Sequence, residues 1–177
     1  DITLQLKNLF APQLEQENLL TLFEEVEMPL IYVLAEMEWN GIKLDTKMLA
    51  EVSKTFNEQL SVYEQKIYSL AGETINISSP KQVGSILFDK LKIAEKPKKT
   101  KTGQYVTSEE ELQKWANKSD IVAEILNYRG LKKLLSTYVD ALPKLVTPTP
   151  GNIHTNFNQA STATGRLSSS APTLQNF

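Results

Sequence analysis

The residues best suited to chemistry lie in one polar stretch, residues 162–176. Arg166 follows a glycine and precedes three serines, and two side-chain amides, Gln175 and Asn176, come after a proline. The guanidinium presents five N–H donors in a rigid fork, and hydroxyl and amide groups hydrogen-bond to phosphate and sugar oxygens. The pattern indicates either a surface for a hydrogen-bonding partner or a serine-rich loop that has none.

Other candidate chemical groups are sparse. His154 is the only histidine and there is no cysteine, so a typical zinc site or nucleophile–base pair is not expected, and His154 is assigned a structural or contact role. Five glutamates between residues 24 and 38 are either metal ligands or solvated charges on the polar side of a helix, and their spacing favours solvated charges. These patterns predict no catalytic residue and no metal site in the chain.

Composition narrows the class of protein. The 177 residues include 41% hydrophobic side chains, but no apolar run approaches the ~20 residues of a membrane span and no signal peptide is recognisable. We therefore expect a soluble cytoplasmic protein without membrane contact. The net charge of -2 argues mildly against nucleic-acid binding, yet residues 81–104 contain seven lysines against two acidic residues. Such a local basic segment attracts phosphates.

Apolar spacing predicts two long helices. One begins after the N-cap candidate Asp45 and runs over about 46–71, ending near Gly72; the other begins at Ser119 or Asp120 and runs over about 120–142. Their narrow apolar stripes match, so we expect an antiparallel hairpin with residues 73–118 inserted at its tip. An earlier helical pattern is interrupted by Pro29, which predicts a kink or a new helix there.

The insert contains two shorter helical patterns. Ser78 or Ser79 can cap the first, and Ser108 with Glu111 has the spacing of a capping box for the second. Residues 95–107 between them, rich in lysine, threonine and glycine, predict a mobile loop. Near the C-terminus, residues 153–159 are typical of a strand that pairs with residues 165–170.

Several motifs together resemble the family A DNA polymerases, the bacterial DNA polymerase I family. Residues 162–169 read Thr-Ala-Thr-Gly-Arg-Leu-Ser-Ser, and Pro-x-Leu-Gln-Asn follows at 172–176. Earlier motifs occur in the family's order over nearly the whole chain: Met28-Pro29-Leu30, Asn40-Gly41, Ser78 to Gln82, Ser108-Glu109-Glu110, Tyr128-Arg129-Gly130-Leu131 and Ser136-Thr137-Tyr138. The resemblance implies a piece of a DNA-directed DNA polymerase that grips the primer-template duplex.

The resemblance also assigns contacts. Arg166 is implied as a minor-groove donor near the primer terminus, where either orientation of a pair presents an acceptor; Gln175, Asn176 and His154 are its expected companions at the primer-template. Contacts with the DNA backbone are expected on the second long helix and at the tip: Arg129, Lys133, Ser136, Thr137, Asn76, Ser78, Ser79, Gln82, Lys98, Lys99 and Lys101. For each lysine alone, a solvated surface charge is the alternative.

The predicted fold is mainly α: a long antiparallel helical hairpin, the polymerase thumb, with a small basic helical tip and a short C-terminal β-hairpin. Residues 1–41 are expected to form the last helices of an exonuclease-like domain and its connection, residues 42–147 the thumb, and residues 148–177 the start of the palm. The resemblance places the palm aspartates and the exonuclease carboxylates outside the chain. The chain alone is therefore expected to need no cofactor and to be inactive.

In the parent polymerase the resemblance implies magnesium ions and deoxynucleotide substrates, and a monomer is expected. Two alternatives remain: a free-standing helical nucleic-acid-binding or adaptor module without activity, and a protein-binding coiled coil. Three positions depart from the family pattern. Ala171 replaces a usual aspartate, Thr173 a usual asparagine, and Leu135 what is often a lysine on the DNA-facing helix, so individual DNA contacts are in doubt.

Overall fold

A computed structural model describes residues 1–149 and 151–175, so the predicted contact residue Asn176 lies outside the described residues. The chain divides into two compact units, one formed by Asp1–Leu44 with Leu145–Phe177 and the other by Asp45–Lys144. Residues 42–44 and 145–147 thus belong to the first unit rather than to the hairpin unit. The assignment of the segments to exonuclease-like domain, thumb and palm stays a prediction.

Helices form the N-terminal part of the first unit. Helix α1 spans Ile2–Gln16 and is capped by Asp1, whose side chain accepts a hydrogen bond from the Thr3 amide at 3.0 Å. After α2, Leu20–Leu22, a π-helical turn at Phe23–Glu27 leads into α3, Met28–Asn40. Pro29 is the second residue of α3, directly after the π-helical turn, and it has no backbone amide to donate to the preceding turn. The predicted change of helix at Pro29 is confirmed.

Two small antiparallel sheets complete the first unit. Strand β1, Ile42–Lys43, pairs with β2, Asn152–Ile153, and β3, Asn156–Asn158, pairs with β4, Ser168–Ser170. The predicted C-terminal β-hairpin is therefore present. The sequence pattern nevertheless predicted one strand over 153–159, whereas the structure divides this segment between two sheets, and the buried Thr155 hydroxyl donates to the carbonyls of Ser170 and Pro172 instead.

The second unit is built on two long helices. Helix α4 spans Thr46–Ala71; Asp45 caps it by accepting from the Met48 amide at 3.0 Å, and Gly72 ends it in the left-handed conformation with φ of 72°. Helix α7, Asp120–Leu134, continues as a π-helical turn at Leu135–Val139 and is followed by a 3-10 turn at Leu142–Leu145.

We call α7 together with the π-helical turn that continues it and Asp140 at its end the α7 segment (residues 120–140). Polar contacts between α4 and the α7 segment show their relative direction. Ser53 donates to Asp140 at 2.7 Å, Tyr128 donates to Glu64 at 2.9 Å, and Lys66 contacts Glu124 at 3.3 Å. The residue number on one helix rises as that on the other falls, so the two helices are antiparallel. The predicted hairpin is confirmed.

The tip contains two short helices. Helix α5, Pro80–Gly84, runs into a π-helical turn at Ser85–Lys90, and α6 spans Glu109–Gln113. The Ser79 hydroxyl caps α5 by accepting from the Gln82 amide at 3.4 Å. The predicted capping box of α6 is wrong, because the Ser108 side chain makes no capping hydrogen bond and Glu111 is paired with Lys114 at 2.7 Å.

A hairpin-like turn occupies residues 98–106, where a mobile loop was predicted. Lys99 and Tyr105 form an antiparallel bridge, flanked by backbone hydrogen bonds from Thr100 to Gln104 at 2.8 Å and from Val106 to Lys98 at 2.9 Å. The mobile loop was predicted from the low apolar content of the segment. Side-chain composition gives no information about hydrogen bonds between backbone groups, so it could not predict this pairing. We call residues 98–106 the basic hairpin.

One apolar core joins the long helices to the tip. Its largest fully buried side chains are Ile67, Leu87, Leu112, Ile125, Leu135, Val83 and Val122. Leu135 is only 2% exposed, so its side chain belongs to the core. Among the described residues, no helix is both long and apolar enough to span a membrane.

Tyr128 predicts a pH dependence of stability. Burial and the hydrogen bond to Glu64 raise the pKa of Tyr128 from 10.0 to about 12. A pKa that is raised in the folded state contributes stability that is complete below pH 10 and is lost as the pH rises towards 12. We expect urea unfolding between pH 9 and 12 to show a smaller decline for Tyr128→Phe than for the wild type. Identical declines would contradict this role.

Gly130 predicts a gain in stability on substitution. It lies inside α7, and a Cβ at this position would meet nothing within 4 Å. Because glycine in a helix interior costs stability relative to alanine, Gly130→Ala should raise the free energy of unfolding by about 0.5–1 kcal/mol. Gly84→Ala is the matched control: its Cβ would lie 2.8 Å from Tyr105 Cβ, so that variant should be less stable. Urea denaturation of both variants measures these changes, and a lower free energy of unfolding for Gly130→Ala would contradict the prediction.

Candidate nucleic-acid interface

Four of the predicted contact residues form one hydrogen-bonded turn before and within α5, which we call the α5 turn (residues 76–82). The Asn76 side chain accepts from the Ser78 amide at 3.0 Å, and the Gln82 side chain accepts from the Asn76 amide at 2.7 Å. Ser79 accepts from the Gln82 amide. The structure therefore brings Asn76, Ser78, Ser79 and Gln82 together, and the exposed Ser78 hydroxyl has no hydrogen-bond partner among the described residues.

The basic hairpin presents three predicted contact residues, Lys98, Lys99 and Lys101, all exposed. Within the described part of the chain none of them forms an ion pair with a carboxylate. The Lys99 ammonium lies 4.6 Å from the centre of the Tyr105 ring, a cation–π distance. The hairpin therefore concentrates positive charge that the described carboxylates do not neutralise.

Tyr105 fixes this hairpin on the tip, and sequence reasoning missed it. Its hydroxyl donates to Asp89 at 2.5 Å, and its ring lies 5.0 Å from the ring of Phe88. The hydrogen bond to Asp89 raises the pKa of the Tyr105 hydroxyl. Tyr105 is the only aromatic residue in the polar stretch 95–107. A single aromatic side chain among polar residues was the sequence feature that could have predicted that this stretch is held against the tip.

Of the four predicted contact residues on the α7 segment, three lie at the surface and one is partly buried. Lys133, Ser136 and Thr137 are exposed. Arg129 is partly buried, and its guanidinium donates to the carbonyl oxygens of Ile77 and Thr107. Burial lowers the pKa of Arg129. The resemblance implied a DNA-backbone contact for all four residues, but the long Arg129 side chain reaches backbone carbonyls of the tip.

Arg166 lies in the connection between β3 and β4. Its side chain is exposed and has no hydrogen-bond or ionic partner among the described residues, whereas its carbonyl accepts from the Thr162 hydroxyl at 2.6 Å. The Gln175 side chain donates to the carbonyl of Leu167, the next residue along, at 2.6 Å. This contact brings the backbone beside Arg166 and the Gln175 amide together; their contact with DNA stays a prediction.

His154 has a different environment. Its Nδ1 atom lies 2.8 Å from the Glu38 carbonyl oxygen of α3, and no hydrogen bond within the described residues joins it to Arg166 or Gln175. This contact gives His154 a structural role, and its predicted primer-template contact stays a prediction.

Two of the departures lie beside β4. Ala171 adopts a φ of 56°, a region that aspartate tolerates better than alanine, because a short polar side chain can hydrogen-bond locally. Thr173 lies between Pro172, whose carbonyl accepts from Thr155, and Leu174, whose amide donates to Ser169 at 2.8 Å. The backbone around both positions is held by hydrogen bonds that do not depend on their side chains.

The described acidic side chains do not cluster as a metal site would require. Within residues 1–149 and 151–175, no group of three or more histidine, cysteine, aspartate or glutamate side chains is arranged to hold a metal ion. Two of the five glutamates between residues 24 and 38 bond elsewhere: Glu38 accepts from the Phe157 amide at 2.5 Å, and Glu27 from the Gln159 side chain at 2.9 Å.

Comparisons with known proteins agree on one family. The family model described as DNA polymerase family A matches residues 46–177. DNA polymerase I of Geobacillus stearothermophilus is 53% identical over 162 residues, which cover 92% of this chain and 18% of that protein. DNA polymerase I of Bacillus subtilis is 49% identical over 171 residues, covering 97% and 19%. The chain thus spans about a fifth of the length of these relatives.

A solved structure extends the likeness to the fold. The POL domain of Pol1 from M. smegmatis, in complex with DNA primer-template and dNTP, superposes with a TM-score of 0.84 at 40% sequence identity, covering 98% of this chain and 30% of that one. Family match, sequence identity and fold all support one conclusion: the chain belongs to DNA polymerase family A.

Proposed function

We propose that this chain is a segment of a DNA-directed DNA polymerase and that it holds the primer-template duplex through contacts with phosphates and the minor groove. The observation that carries the proposal is the fold match to a polymerase domain in complex with DNA primer-template and dNTP. Its relatives are bacterial DNA polymerases I, so the longer protein is proposed to act in DNA replication and repair, as a cytoplasmic monomer.

Phosphate contacts are proposed for the second unit. The basic hairpin carries Lys98, Lys99 and Lys101 without described carboxylate partners, and the α5 turn adds neutral hydroxyl and amide groups. Exposed Lys133 on α7 adds one charge, and exposed Ser136 and Thr137 on the π-helical turn that follows add two hydroxyls. Lysine charges release counterions from DNA, and hydroxyls position the backbone without reading sequence. This combination suits an enzyme that must hold any duplex.

Minor-groove contact is proposed for the first unit. The exposed Arg166 guanidinium keeps its donors free of described partners. An acceptor lies at the same minor-groove position whichever way an A·T pair is oriented, so a donor there tests pair geometry rather than sequence. Gln175, held on the Leu167 carbonyl, is proposed as its companion, together with Asn176, which lies outside the described residues.

Catalysis is proposed for the longer protein. Magnesium ions would activate the primer hydroxyl and bind the triphosphate there. The described residues of this chain do not fit such a metal site, so the chain is assigned duplex binding and no catalytic step, and it is proposed to be inactive by itself.

The basic hairpin predicts salt-dependent binding. The chain should bind a labelled primer-template duplex with an affinity that falls as salt rises, and Lys98→Gln/Lys99→Gln/Lys101→Gln should reduce the salt slope by about 0.9 for each phosphate that the variant no longer neutralises. The matched control neutralises three exposed lysines elsewhere, Lys7, Lys47 and Lys54. Equal slopes for the two triple variants would contradict the role of the hairpin. A wild-type chain that does not bind even at low salt would instead favour an adaptor module.

Arg166 predicts a loss of affinity that is independent of sequence. Arg166→Ala should weaken duplex binding about tenfold, which corresponds to about 1.4 kcal/mol, because one charged donor is removed. The loss should be similar on A·T-rich and G·C-rich duplexes of equal length. Lys7→Ala, which removes the same charge from α1, is the control. A loss confined to one base composition would show that Arg166 reads sequence, contrary to the proposal.

A further inference from the structure

Arg129 bridges two backbone segments of the tip. Its Nη1 atom donates to the Thr107 carbonyl at 2.5 Å, and its Nε and Nη2 atoms both donate to the Ile77 carbonyl at 3.3 Å. Ile77 is 3% exposed and Thr107 is 5% exposed. Three nitrogens of one guanidinium thus satisfy two buried carbonyl groups that are 30 residues apart in the chain.

These two carbonyls adjoin surfaces proposed to meet DNA. The Ile77 carbonyl lies in the same planar peptide group as the Ser78 amide, so fixing the oxygen also fixes the amide. That amide donates to Asn76 and closes the α5 turn. Thr107 directly follows the basic hairpin and precedes Ser108, the residue immediately before α6. One side chain from α7 therefore sets the position of the α5 turn and of the end of the basic hairpin.

We infer that Arg129 is a positioning residue, which holds the α5 turn and the base of the basic hairpin against α7 and acts on DNA through them. This role differs from the direct phosphate contact that the family resemblance implied for Arg129, and it rests on the proposed duplex binding. Lysine is a poor substitute, because one ammonium on a flexible stem does not reproduce a planar fork with donors on three nitrogens.

The test separates geometry from charge. Arg129→Lys keeps the charge and loses the fork, whereas Lys133→Gln removes an exposed charge on the same helix. Tyr128→Phe is the control for destabilisation, because it removes the bond to Glu64 and leaves both carbonyl contacts. For each variant of the whole chain we would measure the stability, the salt-dependent affinity for a primer-template duplex and the amide exchange at Ser78, Ser79 and Val106.

We expect Arg129→Lys to weaken binding about tenfold with an unchanged salt slope and to speed exchange at the three amides. Lys133→Gln should lower the salt slope by about 0.9 without changing exchange. Tyr128→Phe should lower stability while affinity and exchange at the three amides stay close to wild type.

Wild-type affinity and unchanged exchange in Arg129→Lys would overturn the inference. A further variant, Arg129→Met, removes the charge as well as the fork. Normal affinity in Arg129→Lys combined with a lower salt slope in Arg129→Met would also overturn the inference, since that result indicates a direct phosphate contact. If the wild-type chain binds no DNA, the proposed function fails, and the exchange data alone then decide whether Arg129 orders the tip: unchanged exchange overturns the inference and faster exchange supports it.

Discussion

Burial of the apolar stripes of α4 and α7 against each other is the interaction on which the second unit depends. Ile67 on α4 and Ile125 on α7 are fully buried, and each such side chain contributes about 1.5–3 kcal/mol relative to exposure. The tip extends this core through Val83, Leu87 and Leu112. The groups proposed to meet DNA are therefore carried by turns that are anchored in a packed core, although they lie at the surface.

Polar contacts then fix what the core leaves undetermined. Apolar packing is non-directional. It holds the tip against α4 and α7 but does not set the orientation of the peptide groups of the tip. Hydrogen bonds are directional, and two of the anchors are side chains that reach across the tip: Tyr105 to Asp89, and Arg129 to the carbonyls of Ile77 and Thr107. A binding surface gains precision when its supporting side chains are themselves held in place.

The two arginines of the chain illustrate opposite uses of one side chain. Arg166 is exposed and keeps its donors available, whereas Arg129 is partly buried and directs its donors at backbone oxygens. In the first unit the same kind of side chain-to-backbone bonding joins α3 to the short strands, through Glu38 to the Phe157 amide and through His154 to the Glu38 carbonyl. Strands of two or three residues have few ladder bonds of their own, so these contacts help to hold them.

The sequence by itself determined the elements that depend on local physics. Helical periodicity located α4 and the start of α7, Asp45 and Gly72 marked the ends of α4, and Pro29 marked the start of α3. Ordered motifs over the whole chain were sufficient to indicate the family. Only the tertiary structure decided that Ser108 does not cap α6 and that residues 98–106 form a hairpin.

The direction in which long side chains point on α7 and on the π-helical turn after it was likewise decided by partners distant in sequence. Leu135 of that turn is buried in the core, and Arg129 of α7 reaches carbonyls 52 and 22 residues away. Residue type and spacing show which groups are available to donate a hydrogen bond. The acceptors that they meet are backbone oxygens, which every residue carries, so only the fold selects among them.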